Sequence, residues 1–560
     1  MRNSTAIDKF FYLFAALLLL VAYVAGLFVP LMDNDACRHA TIALRMFQDD
    51  SFLSLIDRGE LCLDGPHLPY WLMACTFKLI GVSVFGYRIS SFLFTLLALW
   101  STYRLGRMFL TRRVASIAVA ILSTMFAFQL ANTDVQVDAI LLGSVVFALW
   151  QGVRCIDRGA WCSAVWAGLG LAMAYGTTGV IGIAVPCMSY VFFLLGMRRW
   201  SALFRWQTLV LVASFVLFSL PFFYAYYLQF DLHPELLVRG ATGLSGVCSL
   251  LSGPVAGCMG GEMSTMMADD HLFFLYTLLL ALLPWSGLFY LMIFRSIKTY
   301  DGALALNWIT LPTIALTMLA FSLSDLKSPH YINILFPMMA LFMADQISRM
   351  VDTRWERCLA VLQKCIYLLL YVVIAVIGLW VFPFESHAVK IGFIVVLAIF
   401  LLWMLCSRLS IRPMVLHGVF VAAVLFAFLN LYFYPKLLTY QAGTVLSYRV
   451  NHAEEVFEYS IDPDAIEQYS TKYSYSMSMG LGRVMTNYYD PDEVGRPRFP
   501  SSVKYLMVDH DALNKLIYNN VVFDVMTQSI DYHITMLTPK FLNPETRAEE
   551  LSLVYLLRLY

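Results

Sequence analysis

The sequence of 560 residues predicts an all-α polytopic membrane domain of about 13 transmembrane helices, residues 1–434, followed by a small α/β extracytoplasmic domain, residues 435–560. Three observations predict it. The chain is 60% hydrophobic and only 14% charged, against about 25% charged in an ordinary soluble domain. Apolar runs of about 20 residues, the length that crosses a bilayer, recur from residue 10 to residue 434. Beyond that point the composition turns polar and carries the turn signals DPD, YDPDE and GRPRFP. A mean hydropathy of +0.70 excludes a soluble protein, and 38 basic against 38 acidic residues leave no net charge to attract nucleic acid.

The first run, residues 10–32, is too long for the apolar region of a signal peptide, and no small-residue cleavage site follows it. It is expected as a retained first span. Further runs lie at 90–103, 115–131, 138–153, 161–177, 179–196 and 207–228, then at 271–294, 304–323, 330–347, 359–383, 388–406 and 413–434. Arg and Lys fill every second loop: Arg104 with Arg107, Arg112 and Arg113, then Arg154 and Arg158, Arg198 with Arg199 and Arg205, Arg295 and Lys298, Arg349 with Arg354 and Arg357, and Arg408 with Arg412. These loops share a side with Arg2 and Lys9, so the N-terminus is expected in the cytoplasm and the C-terminal domain outside. HLPYWLMACTFKLIG at 67–81 is interrupted by Lys78 and too short to span. It and residues 36–48, where Cys37, Ala40, Leu44 and Phe47 share a helical face, are expected as amphipathic helices lying in the outer membrane interface. In the tail, SSVKYLMVDHDALNKLI reads as a buried strand followed by a helix with an Asp near its start.

The chain has 11 cysteines. Cys37 and Cys62 in the first outer loop and Cys248 and Cys258 in the fourth could meet an oxidising compartment, and each pair is open between a disulfide and two thiols. No CxxC or zinc spacing occurs. The acidic residues Asp33, Asp35, Asp64, Asp134 and Asp138 all fall on the outer face, together with Arg38, Arg45, Arg58, Lys78, Arg88, Arg239, Lys327, His67, His271 and His330. Singly, each is explained as a helix cap or a solvated loop group. Together, carboxylates beside cations at an interface suit an anionic lipid headgroup. A hydroxyl nucleophile needs a carboxylate base, and a phosphate leaving group needs cationic donors.

MDNDACRHATIALRMFQDD and LDGPHLPYWLMACTFKLIGVSVFGYRISS in the first loop, followed in order by ANTDVQVDAIL, AYGTTGVIGIAVP, LLPWSG and LKSPHYINILFPMMALFMA, resemble the bacterial lipid-linked glycosyltransferases of the GT-C class, the aminoarabinose transferase and protein mannosyltransferase group. The resemblance implies a GT-C enzyme of the bacterial inner membrane. It would move a sugar, with inversion, from a polyprenyl-phosphate carrier to a lipid, glycan or protein acceptor on the outer side. Asp35 takes the position of the first-loop catalytic aspartate, with Arg38 completing D-x-x-R. Asp64 matches the acidic residue that opens the family's E/D-K-P-P-L-x-Y-W motif, which ends here in Tyr70 and Trp71, and Asp138 matches the aspartate at the start of the fourth span. Lys327, His330 and Tyr331 fit the K-L-P-x-Y segment with Ser328 in place of Leu, and Lys327 is assigned to the carrier phosphate. Arg58, His67 and Arg88 are further candidate substrate contacts. A divalent cation held by Asp33, Asp35, Asp64 and His67 is an open alternative.

Two departures stand out. Gly65 and Thr178 occupy positions where the family usually has phosphate-binding lysines. Each charge-assisted bond so lost is worth roughly 1.5–3 kcal/mol, so either other cations substitute, Arg58 and His67 being nearest in sequence, or the chain is a non-catalytic carrier-binding or flippase-like relative. A secondary transporter is disfavoured because the charges sit at one face, not at the midplane. An asparagine-linked oligosaccharyltransferase is disfavoured because W-W-D-Y-G is absent.

Overall fold

The computed structural model describes residues 6–33, 35–62, 65–133, 136–233, 235, 245–252, 270–298, 305–324, 327–351, 354–491 and 496–560. Asp64, Asp134, Arg239 and Cys258 lie outside the described residues. Among the described residues, nine helices are long and apolar enough to cross a membrane, ten if the bent pair Arg112–Ser123 and Phe126–Thr133 is one span. Helices Ala6–Gly26 and Trp161–Thr178 and the consecutive Phe273–Ala281 and Ser286–Lys298 occupy the other predicted runs. The second span is longer than its apolar run, Val84–Phe109, because Ser83 caps it by accepting from the Gly86 amide. The third is bent by 59° between its halves, where the Thr124 hydroxyl bonds the Ile121 carbonyl and receives the Trp285 indole N–H at 2.8 Å.

Small residues let the helices approach closely, as packing within lipid favours. A Cβ at Gly143 would stand 2.6 Å from the Phe94 carbonyl of helix Val84–Phe109. One at Gly170 would stand 2.9 Å from the Ala148 Cα of helix Gln136–Arg158.

At one end of the bundle the first loop forms helix Asp35–Gln48, a hairpin of β1 (Ile56–Asp57) and β2 (Glu60–Leu61), and helix Leu68–Ile80. The hairpin turns on Arg58 and Gly59 at φ 51° and 92°, left-handed geometry that a two-residue turn requires. The apolar face of the first of these helices packs against protein. Ala36, Cys37, Ala40, Ala43 and Leu44 are buried in a protein core with Tyr70, Met73 and Phe77, and Tyr475 and Met479 of the C-terminal domain pack against it. Helix Leu68–Ile80 does leave Leu79 and Ile80 exposed.

The C-terminal domain is a sheet of β3 (Ile466–Tyr469), β4 (Tyr505–Asp509), β5 (Phe523–Asp531) and β6 (Ser552–Leu559) in the order β3-β4-β6-β5, with β3 parallel to β4 and the other pairs antiparallel. Strand alternation divides it: Tyr505 and Met507 face helix Ala442–Asn451, while Leu506 and Val508 face helix His510–Tyr518. The expected strand and helix at 505–518 are found, and the helix-starting carboxylate is Asp509, which accepts from the Ala512 amide at 2.8 Å. Of the cysteine candidates, Cys37 and Cys62 are buried thiols, and Cys248 is an exposed one.

Candidate functional site

Asp35 is the first residue of its helix, where the macrodipole favours a carboxylate, and it is exposed. Asp138 lies in the first turn of helix Gln136–Arg158, is buried, and accepts from Asn333 Nδ2 at 2.9 Å. Asp35 and His330 lie within electrostatic reach of Asp138, and Tyr331 within reach of both carboxylates. His330 shares a hydrogen bond of 2.8 Å with Ser328 Oγ and meets the Tyr331 ring edge-on at 5.0 Å. The short helical segment Pro329–Leu335 therefore delivers His330, Tyr331 and Asn333 to two carboxylates remote in sequence. Two residues before it, Lys327 is buried and its Nζ donates to the Asp270 carbonyl at 3.0 Å.

A second group lies under the C-terminal domain. Arg38 Nε donates to Asp57 Oδ2 at 2.7 Å, and Arg38 Nη2 stands 3.9 Å from the Cys62 sulfur. Asp57 is buried and also accepts from the Tyr475 hydroxyl at 3.2 and 3.3 Å. Arg58 lies 3.9 Å from the same carboxylate and over the Tyr475 ring at 5.9 Å. Burial and the charge on Asp57 hold the Tyr475 phenol well above its ordinary pKa, so it remains a donor.

Other sequence candidates have different surroundings. Arg88 is buried and donates to the carbonyls of Gly26, Val29 and Pro30, closing the C-terminal end of the first helix. Tyr70 is buried in the first-loop core, edge-on to His39 at 5.7 Å. His67 is fully buried, bonded through Nε2 to the Leu53 carbonyl at 3.0 Å and packed between Trp71 and Tyr226. Burial pulls its pKa down to about 4. It is neutral at pH 7 and does not replace a missing lysine charge.

Of the residues considered for a cation, Asp33 is committed to the C-terminal domain. Asp33 accepts from Ser474 Oγ, Ser476 Oγ and the Tyr475 and Ser476 amides at 2.9–3.3 Å. This binds the N-terminus of helix Tyr475–Leu481 to the first loop. Among the described residues no three of His, Cys, Asp and Glu gather as ligands, and Asp64 lies outside them.

Gly65 and Thr178 prove to be parts of one corner: a Cβ at Gly65 would stand 3.8 Å from the Thr177 carbonyl. Tyr175, Phe222, Tyr226, Phe230 and Leu250 pack together beside it with Trp71. The Thr178 hydroxyl is buried without a hydrogen-bond partner among the described residues. Where the family pattern has two lysines, this chain has an aromatic wall.

Asp57, Asn333 and Tyr475 were not singled out in the sequence. Asp57 could have been found as the acid before Arg58-Gly59, a hairpin turn signal. Tyr475 carries no sequence signal beyond the Ser474 cap that precedes it.

The fold has a close counterpart. ArnT from Cupriavidus metallidurans, solved bound to undecaprenyl phosphate, superposes with a TM-score of 0.71 over 97% of this chain and 97% of that one, at 15% identity. The chain has the ArnT-type GT-C membrane fold. In sequence, the Dolichyl-phosphate-mannose-protein mannosyltransferase family matches residues 64–224, a stretch of this GT-C domain. An undecaprenyl phosphate-alpha-4-amino-4-deoxy-L-arabinose arabinosyl transferase of Pseudomonas fluorescens is 27% identical, over 61% of this chain and 59% of its own length. One from Pseudomonas aeruginosa is 29% identical over 56% of each. The chain thus spans under two thirds of the length of these relatives.

Proposed function

We propose that this chain is a membrane glycosyltransferase that moves a sugar, pentose or hexose, from a polyprenyl-phosphate carrier to an acceptor outside the bacterial inner membrane. The acceptor is a lipid A-like lipid, another glycan or a protein. The gathering of Asp35, Asp138, His330 and Tyr331, with the buried Lys327 three residues before His330 in sequence, supports this reading. An acceptor oxygen attacks the anomeric carbon, the bond from that carbon to the phosphate oxygen breaks, and the polyprenyl phosphate leaves from the opposite face with inversion. Asp35, exposed at a helix N-terminus, takes the proton of a hydroxyl acceptor; a phosphate acceptor needs no base, and Asp35 then orients it. Asp138, anchored by Asn333, holds the floor of the site. Lys327 and Arg38 supply positive charge to the carrier phosphate. The N-terminus faces the cytoplasm and residues 435–560 the outer side, as the alternation of basic loops predicts.

The test is release of polyprenyl phosphate by the purified protein in lipid, supplied with a panel of radiolabelled polyprenyl-phosphate sugars. Release that depends on Asp35 supports the reading; carrier binding without release from any donor favours the non-catalytic relative.

A further inference from the structure

We propose that Tyr475 of the C-terminal domain is a positioning residue for donor binding, acting on Arg38 through Asp57. This deepens, and rests on, the reading of the chain as a polyprenyl-phosphate sugar transferase. Arg38 lies on the same face of its helix as Asp35, three residues along. What sets the direction of its guanidinium is the 2.7 Å bond from Nε to Asp57. Asp57 sits on a two-residue strand that among the described residues pairs only with β2, a short platform with little rigidity of its own. The Tyr475 hydroxyl, bonded to both oxygens of Asp57, fixes that carboxylate from the other side.

Tyr475 is itself held by the docking of its helix. Ser474 and Ser476 on either side of it donate to Asp33, and Asp33's own amide donates to Gln441 Oε1 at 2.8 Å. Gln441 in turn donates to the Leu31 carbonyl at 2.9 Å. The C-terminal domain thus grips the loop at Asp33 and, through the residue between the two serines, reaches the carboxylate that aims a site cation. A cation held in one direction before binding loses less freedom when a phosphate arrives.

The experiment compares wild type with Tyr475→Phe, which keeps the ring and removes the hydroxyl, and with Asp57→Asn, in lipid nanodiscs of the full-length chain. Undecaprenyl phosphate affinity is measured directly, and donor KM and kcat are measured with the donor that turns over. Tyr475→Phe is expected to weaken undecaprenyl phosphate binding and raise donor KM about tenfold, with kcat within about twofold and an unchanged melting temperature. The double variant should be no worse than the weaker-binding single variant, because both act on one cation. A purely structural tyrosine would instead lower the melting temperature or kcat and leave KM alone. Wild-type affinity in Tyr475→Phe, or additive losses in the double variant, overturns the inference while leaving the transferase reading intact. No turnover by wild type with binding still dependent on Tyr475 overturns the transferase reading alone, and absence of carrier binding by wild type overturns both.

Discussion

The two flanks of the first loop are held by opposite kinds of chemistry. On one, Asp33 accepts from Ser474 and Ser476 and Asp57 from Tyr475, hydrogen bonds to carboxylates that cross from membrane domain to C-terminal domain, while Arg38 pairs with Asp57. On the other, Gly65 and a neutral His67 lie against Trp71, Tyr175, Phe222 and Tyr226, with the Thr178 hydroxyl buried nearby. In the proposed reading the carrier phosphate, which requires cations, is met by Arg38 and Lys327. The aromatic flank offers apolar surface in its place, and the two lysine positions that the family pattern would fill with charge collapse into that single corner.

The largest expected effect comes from the site carboxylate. Asp35→Asn should lower transfer by about 10²–10⁴-fold if the acceptor is a hydroxyl, read as labelled product per minute, and a near-normal rate would move the base elsewhere. Next, Lys327→Ala should weaken undecaprenyl phosphate binding about 10–100-fold, the worth of one charge-assisted bond of roughly 1.5–3 kcal/mol. Unchanged affinity would take the phosphate away from Lys327.

Asp33→Ala should loosen the C-terminal domain by about 1–2 kcal/mol, the value of a helix cap, seen as faster amide exchange in residues 475–481. Burial pushes the Asp33 carboxyl up to about 6, above its ordinary value of 3.8, despite the serine donors. Folding therefore favours its protonated form. That contribution is present below the ordinary pKa and is lost as pH rises through about 6. Asp33→Asn should flatten stability across that window, and an unaltered pH profile would contradict the assignment. The smallest effect is expected on the aromatic flank: Gly65→Lys or Thr178→Lys should raise transfer by less than about threefold, because in the proposed reading the phosphate is met by Arg38 and Lys327. A large gain would mark the natural chain as an impaired enzyme.

Much of this was legible in the sequence because it is written locally. Hydropathy located a helix or helix pair for each apolar run, and Asp509 before its helix marked a strand followed by a helix. The gathering of Asp35, Asp138, His330 and Tyr331 was visible as one outer face and as a family pattern. What stayed hidden depends on partners distant in the chain. The amphipathicity of helix Asp35–Gln48 gives the direction of its apolar face but not what covers that face, and here it is Tyr70, Phe77 and Met479. Asp33 read as a solvated loop residue or a cation ligand, and only the arrival of Ser474 and Ser476 makes it a cap. Likewise a histidine two residues from a missing lysine looked like a substitute cation until burial made it neutral.

The most direct measurement is release of polyprenyl phosphate from a radiolabelled polyprenyl-phosphate sugar by the purified protein in lipid, wild type beside Asp35→Asn. The account predicts release by the wild type and its near-complete loss in the variant, with carrier binding retained by both. Equal release by the two proteins, or none from any donor by a wild type that binds the carrier, would contradict it.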